Sequence, residues 1–112
     1  MRAALDSKAL SAEALLQSHV RQIERLNPLL GAFTQIFLPE ENANAGPLAG
    51  IPVSIKDSLD LAGAPTVCGQ RSRLASKASK DAICVQRLKS AGAVIVGKTN
   101  TPELLMNWET SN

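Results

Sequence analysis

The sequence predicts an α/β fold in which one or more helices are followed by a strand–helix–strand unit. Three patterns support this prediction: apolar residues at helical spacing over residues 11–30, alternation of apolar and polar residues over 51–57, and a continuous apolar run at 93–96. Two parallel strands joined by a helix normally belong to a larger sheet, because a two-stranded sheet is only marginally stable. We therefore expect residues 1–112 to be the incomplete, N-terminal part of a single larger domain.

The first predicted helix begins after Ser11, a residue that caps helix N-termini well, and Glu13 lies favourably in its first turn. Its apolar stripe consists of Leu16, Val20, Ile23, Leu26 and Leu30. We expect this helix to end near Asn27–Pro28, because the residue before a proline avoids helical geometry. Residues 29–38 then form a short helix or an extended segment, and 39–47 form a polar loop.

The first predicted strand covers residues 51–57. Apolar side chains alternate there with Pro52, Ser54 and Lys56, and the proline indicates a strand that begins at this point or lies at a sheet edge. Residues 58–80 are predicted to be mostly loop. This loop is basic, and we expect its charges to be solvated rather than to form an anion site; they belong to Arg71, Arg73, Lys77 and Lys80.

A second helix and strand follow the basic loop. Asp81 is expected to cap the helix and Gly92 to end it. The buried stripe of this helix is predicted to be Cys84, Val85, Leu88 and Ala91. Residues 93–98 are predicted to be an inner strand, buried on both faces and parallel to residues 52–56.

The last predicted element is a third helix. Thr101, Pro102 and Glu103 supply an N-cap, a proline at the first helical position and an acidic first turn. The helix would carry Leu104, Leu105 and Trp108.

The composition narrows the classes of partner. Of 112 residues, 45% are hydrophobic, 20% charged and 3% aromatic, with a net charge of +2. The low aromatic content argues against nucleic acid, whose unpaired bases stack on aromatic rings, and the small charge does not imply a polyanion. The chain has neither the roughly 18 apolar residues of a membrane span nor a signal-peptide core, so we expect a cytoplasmic protein with no membrane partner.

Metal and cofactor sites are not indicated by the sequence. Cys68 and Cys84 lack the CxxC spacing of zinc or redox sites, so we expect reduced, buried thiols. His19, the single histidine, lies beside the apolar stripe of the first helix, away from other ligand-type residues. We therefore expect neither a metal ion nor a cofactor.

Residues 92–99 match the phosphate-binding pattern G-x-x-x-x-G-K-[ST], but their chemistry argues against that function. The four residues between the glycines are apolar and three are β-branched, which favours a strand over a curled phosphate cradle. Nucleotide binding is thus the disfavoured alternative, and Lys98 is predicted to be structural.

Lys56 is the candidate for chemistry, because it ends a predicted strand beside Asp57. Alternation places Ser54 on the same face about 6.5–7 Å away. That separation is stretched for a nucleophile and its base, which should come within about 3 Å. The residues alone leave two interpretations open, a reactive lysine or a lysine paired with the neighbouring acid.

Two runs carry a resemblance to a known family. Residues 46–57, GPLAGIPVSIKD, resemble the catalytic-lysine segment of the amidase signature family, and residues 91–103, AGAVIVGKTNTPE, resemble the helix and strand that follow it. Residues 107–112, NWETSN, are similar to the stretch just upstream of that family's Gly/Ser-rich signature. The resemblance covers nearly the whole chain and is weakest at 38–45, where the chain is shorter. It implies the N-terminal portion of a mixed-sheet amidase-signature fold.

The resemblance also implies a chemistry. Members of the family hydrolyse amide C–N bonds with a nucleophilic serine, a bridging serine on a cis peptide and a lysine, and some belong to amidotransferases. Lys56 corresponds to that lysine, whereas both serines would follow Asn112. We therefore expect residues 1–112 to supply the catalytic lysine, to be inactive alone and to self-associate, with a small-molecule amide as the full-length substrate. The alternatives are a protein similar to the amidase component of an amidotransferase, or a non-enzymatic interaction and oligomerisation module.

Overall fold

A computed structural model describes residues 1–38 and 45–110 of the chain. Its helices and strands are α1 (Arg2–Asp6), α2 (Ala12–Leu30), β1 (Phe33–Ile36), β2 (Pro52–Lys56), α3 (Ile83–Ser90) and β3 (Val94–Thr99). Short 3-10 turns lie at Arg71–Arg73 and Glu103–Leu105. The predicted α/β class is confirmed. Of the predicted polar loop, residues 39–44 lie outside the described residues.

In the described part of the chain, one mixed sheet of three strands is formed, in the order β1-β3-β2. The central strand β3 runs antiparallel to β1 and parallel to β2. The connection from β2 to β3 passes through α3, so the predicted strand–helix–strand unit is confirmed, with the inner strand at Val94–Thr99 rather than 93–98. Residues 29–38, predicted to be a short helix or an extended segment, contain the strand β1.

The core lies on one face of the sheet, where β2 meets α3. Its buried members are Ile55, Leu61, Ala64 and Val85. Val85 is fully buried and Ile55 is 2% exposed, so the helix and the strand share one apolar seam. Because Ile55 directly precedes Lys56, this seam also holds the backbone that carries the candidate lysine.

Helix α2 begins as predicted but ends later. The Ser11 side chain accepts a hydrogen bond from the Ala14 amide at 3.0 Å, which confirms the N-cap. The predicted end near Asn27–Pro28 is wrong, because Pro28 lies inside the helix, which continues to Leu30 and is capped by Gly31 with a left-handed φ of 57°. Pro28 has no backbone N–H to donate within the helix. The Gly31 amide nevertheless donates to the Asn27 carbonyl at 2.8 Å, and this bond closes the last turn.

The start of α3 also differs from the prediction. Ala82 occupies the N-cap position, and no side chain caps the helix. Asp81 instead accepts hydrogen bonds from the Ala62 amide and from Lys89 Nζ, each at 2.7 Å. The carboxylate therefore ties the loop to the helix rather than capping it.

The two cysteine predictions are wrong in part. Both described cysteines are free thiols, but Cys84 is exposed and Cys68 is only half-buried. Cys84 therefore does not belong to the buried stripe of α3, which is carried by the fully buried Val85. Cys84 directly precedes the buried Val85. Because successive helix residues point in directions about 100° apart, its side chain points away from the core.

The predicted third helix does not form. Between Pro102 and residue 110, where the described part of the chain ends, the only helical element is the 3-10 turn Glu103–Leu105. Leu104 and Leu105 have left-handed φ values of 48° and 63°. The Leu104 amide donates to the Cys68 carbonyl at 2.9 Å, a tertiary bond that competes with continued helical geometry. Trp108 is left fully exposed.

Asp81 makes the stability of the fold depend on pH. Burial alone would raise the pKa of Asp81, but hydrogen bonds from Lys89 and Ala62 and the charge of Lys89 together hold it below its ordinary value of 3.8. Since the pKa is lower in the folded state, the contact stabilises the fold above about pH 3.8 and loses that effect as the pH falls through the folded pKa. We expect the difference in unfolding free energy between the native chain and Asp81→Asn, measured by urea titration, to shrink in that range. A difference that stays constant down to about pH 2 would contradict this linkage.

Gly97 is required for the close approach of β1 and β3. A Cβ at position 97 would collide with the Gln35 carbonyl oxygen and lie 2.8 Å from Phe33 Cδ1. We expect Gly97→Ala to lower the free energy of unfolding by about 1–3 kcal/mol and to expose the Phe37 amide, which donates to Val96, to hydrogen exchange. Gly63→Ala is the control for the Phe37 amide. A Cβ there meets nothing within 4 Å, so any loss of stability comes from the positive φ of 82°, and protection at Phe37 should stay native. Unchanged protection at Phe37 in Gly97→Ala would count against this packing.

Candidate active site

Lys56 is the last residue of β2, and its side chain is exposed. Ile55 before it and Asp57 after it are both buried, so the strand alternation turns Lys56 away from the core. Ser54 is exposed on the same face, as predicted. Within residues 1–38 and 45–110, Lys56 Nζ makes no hydrogen bond or ion pair. The amine is therefore free to meet a group from outside the described residues.

The backbone around Lys56 is firmly held. Lys56 is paired with Thr99 in the parallel ladder, and its carbonyl accepts from the Leu59 amide at 3.0 Å. The Asp57 amide donates to the Thr99 carbonyl at 3.1 Å. These bonds fix the carboxyl end of β2, the end of a parallel strand at which α/β proteins commonly bind ligands.

Asp57 pairs with Lys98 rather than with the adjacent Lys56. Asp57 Oδ1 lies 2.9 Å from Lys98 Nζ, and both side chains are almost completely buried. Lys98 Nζ also donates to the Pro65 carbonyl at 2.7 Å and to Thr66 Oγ1 at 3.1 Å. The three acceptors satisfy the three donors of an ammonium group. The interpretation of Lys56 as the partner of its neighbouring acid is therefore wrong.

The ion pair was missed at the sequence level, although one signal pointed to it. The sequence predicts a structural role for Lys98 but assigns none to Asp57. A lysine that continues an apolar, doubly covered strand must find an acidic or polar partner, because an unpaired buried charge is costly. Asp57 follows the adjacent parallel strand directly and was the nearest candidate.

The phosphate-cradle interpretation fails on backbone conformation. Residues 94–99 form the central strand β3, hydrogen-bonded to neighbours on both sides. Their amides therefore do not converge on a common point, as a cradle requires. The basic residues of the predicted loop, Arg71, Arg73, Lys77 and Lys80, are all exposed, as predicted.

Residues 1–38 and 45–110 contain neither a metal-binding cluster nor a membrane-spanning helix. Clusters of three or more His, Cys, Asp or Glu side chains able to hold a metal ion are absent from that part of the chain. His19 lies on α2, where its Nδ1 is 2.9 Å from the Leu15 carbonyl oxygen. None of the helices formed by these residues is both long enough and apolar enough to span a bilayer.

The sequence matches the Amidase family over residues 14–112. AmiA2 of Mycobacterium tuberculosis is 40% identical over an alignment of 112 residues, which covers 89% of this chain and 23% of AmiA2. One component of the glutamyl-tRNA(Gln) amidotransferase from Thermotoga maritima superposes with a TM-score of 0.76 at 36% identity, over 82% of this chain and 20% of that protein. 6-Aminohexanoate cyclic dimer hydrolase superposes with a TM-score of 0.81 at 31% identity, over 90% of this chain and 22% of that enzyme.

These likenesses assign the fold to the α/β class of amidase-signature enzymes. The chain belongs to the Amidase family. It spans only 20–23% of the length of the three relatives.

Proposed function

We propose that this chain supplies Lys56 as the catalytic lysine of an amide-hydrolysing enzyme of the Ser–cis-Ser–Lys type, acting on a small-molecule amide. The position of Lys56 carries the proposal: an exposed amine at the carboxyl end of a parallel strand, in a chain of the Amidase family. On this proposal residues 1–112 are the N-terminal part of one amidase domain, and both serines and the oxyanion donors come from the remainder.

The chemistry asked of Lys56 is proton transfer. Only a neutral amine can accept a proton, and at pH 7 about one free lysine in 2,500 is neutral given the reference value of 10.4. Covering Lys56 with the remainder of the domain would remove water that favours the ammonium form. The amine would then take the proton of the nucleophilic serine through the bridging serine and return it to the leaving nitrogen.

Lys56 is suited to this role because its backbone is rigid while its amine is free. The neighbouring Ile55 is 2% exposed and Asp57 is fully buried, so the strand cannot rotate about its axis. A catalytic group acts efficiently only when it is held near the reacting atoms. A fixed strand end with a free amine meets that requirement.

A chimeric enzyme tests the proposal. In 6-aminohexanoate cyclic dimer hydrolase, the section matched by this chain is replaced by residues 1–112, and this protein is called the hydrolase chimera below. We expect it to hydrolyse the cyclic dimer, whereas the 112-residue chain alone shows no turnover. The control is the hydrolase with its own section put back. If the chimera folds but shows no turnover, while this control is active, the proposal is contradicted.

A second candidate function is that of a component of an amidotransferase. It is favoured by the 36% identity to the amidotransferase component from Thermotoga maritima. The same replacement in that protein, which gives an amidotransferase chimera, discriminates between the two functions. Activity only in the amidotransferase chimera, and none in the hydrolase chimera, would favour the second candidate.

Self-association of the 112-residue chain is expected from its exposed apolar surface. Leu29 is 83% exposed, Met106 84% and Trp108 100%. Within the described residues, β2 is paired on one side only, so its other edge offers free backbone groups to a second copy. We expect light scattering to show a mass that rises with concentration. A monomer with a sharp thermal transition at every concentration would contradict this expectation and the non-enzymatic oligomerisation alternative alike.

A further inference from the structure

The buried Asp57–Lys98 pair lies next to an irregularity in the sheet. The ladder between β2 and β3 shifts register between Val53 and Ser54, so that Ile95 pairs with Val53 but Gly97 pairs with Ser54. Such a bulge re-aims the side chains that follow it. The extra residue is Val96 of β3, so the bulge changes which face of the sheet the following Lys98 occupies. The pairing of Lys56 with Thr99, and with it the direction of Lys56, depends on what fixes the new register.

The pair itself supplies that fixing contact. Asp57 Oδ1 binds Lys98 Nζ at 2.9 Å and accepts the Val67 amide at 3.3 Å. The Asp57 carbonyl accepts the Cys68 amide at 3.2 Å. Asp57 therefore joins the end of β2 to the Lys98 side chain of β3 and to the loop that contains Val67 and Cys68.

A change of register by one residue would break this contact and reverse Lys56. Because side chains alternate with a period of two, such a slip would bring Lys56 inward and turn Asp57 outward. It would also leave the Lys98 ammonium buried without its counter-charge. Buried polar groups specify register in some folds, as a single asparagine does in the core of a coiled coil.

We infer that Asp57 and Lys98 are positioning residues, which fix the register of β2 after the bulge and thereby the direction of Lys56. For catalysis this inference rests on the proposed function, since it treats Lys56 as the reacting group. The structural half, register control, stands independently.

The test uses the double variant Asp57→Asn/Lys98→Met, which removes both charges together and leaves neither unpaired. The matched control is Asp81→Asn/Lys89→Met, which removes a second Lys–Asp pair at 2.7 Å whose members are 14% and 41% exposed. In the 112-residue chain, hydrogen exchange is measured at the Leu59 and Cys68 amides. Val94, whose amide donates to Ile51 before the bulge, serves as the internal reference.

We expect exchange at Leu59 and Cys68 to accelerate about 10-fold or more in the first double variant, while Val94 and the control variant stay unchanged. In the hydrolase chimera we expect kcat to fall about 10- to 100-fold with KM nearly unchanged, because a displaced catalytic group costs rate rather than binding. Native exchange in the folded variant, or faster exchange with native kcat, would overturn the positioning role.

The two proposals fail in different ways. If Lys56→Met leaves the chimera active, the proposed function is wrong, whatever the exchange experiment shows. If Lys56→Met inactivates it but the Asp57→Asn/Lys98→Met variant has native kcat, only the positioning role is wrong. Should the double variant not fold, Lys98→Arg, which keeps the positive charge but displaces the nitrogen atoms from Asp57 Oδ1, is judged by the same measurements.

Discussion

Replacing Lys56 by methionine in the hydrolase chimera is expected to lower kcat by about 10²–10⁴, the contribution typical of a positioned acid–base group. Methionine keeps most of the length of the side chain but has no basic nitrogen. The fold should be unaffected, because Lys56 is exposed and makes no hydrogen bond or ion pair to residues 1–38 and 45–110. Steady-state kinetics together with circular dichroism separates loss of chemistry from loss of fold.

Lys80→Met is the matched control for this experiment. Lys80 is also an exposed lysine, but it lies in the basic loop rather than at the end of β2. We expect its kcat to equal that of the unmodified chimera. Near-native turnover by Lys56→Met would remove Lys56 from the mechanism, whereas an equal loss in Lys80→Met would indicate a general effect of positive charge.

Lys98→Met in the 112-residue chain is expected to lower the free energy of unfolding by about 3–5 kcal/mol. This is the typical cost of leaving one partner of a buried ion pair without its counter-charge. Asp57 is fully buried, and its Oδ1 would lose the ammonium group at 2.9 Å. Its other oxygen, Oδ2, already has no hydrogen-bond partner among the described residues. Such a loss rivals the whole stability of a domain, which is about 5–15 kcal/mol.

The loss of stability in Lys98→Met is compared with the losses in two further variants. The Asp57→Asn/Lys98→Met variant should recover much of the loss, because no charge is left stranded. Lys89→Met removes a partly exposed pair and should cost about 1 kcal/mol or less. Urea unfolding at pH 7 measures all three. Equal losses in Lys98→Met and Lys89→Met would show that burial does not govern the strength of these pairs.

Local patterns predicted the elements of this fold well where one force dominates. Alternation identified β2, and the apolar run identified β3, because both strands bury side chains against a defined core. The Ser11 cap was predicted because the motif needs only residues that are adjacent along the chain. The strand pattern singled out Lys56, but only the family resemblance implied its catalytic role, because composition and spacing do not separate a reactive lysine from a paired one.

The errors arise where tertiary contacts override a local rule. Pro28 lies within α2 although proline disfavours a helix interior, and the Gly31 turn closes the helix beyond it. The sequence at 101–103 has every local signal of a helix start, yet Leu104 is bonded to Cys68 and the helix does not form. Asp81 binds Lys89 instead of capping α3, because a charge partner is available on the same helix.

The candidate site shows the same limit. Lys56 could be found from its motif, but its support could not, because Asp57 and Lys98 are separated by 40 intervening residues and meet only when β2 and β3 pair. Which distant residues meet depends on the register between two strands. The register of β2 and β3 includes a bulge that no local sequence pattern predicts.

The central claim is that the amine of Lys56 performs the proton transfer, and restoring an amine chemically tests it most directly. Lys56→Cys is made in a hydrolase chimera whose Cys68 and Cys84 are replaced by serine, and any host cysteines likewise, so that only position 56 reacts with 2-bromoethylamine. The product carries an amine at nearly the position of the lysine nitrogen. We expect the unmodified variant to be inactive, aminoethylation to restore amide hydrolysis, and alkylation with iodoacetamide, which adds no amine, to restore none. High turnover before alkylation, or none after complete aminoethylation, would contradict the assignment of Lys56 as the catalytic lysine.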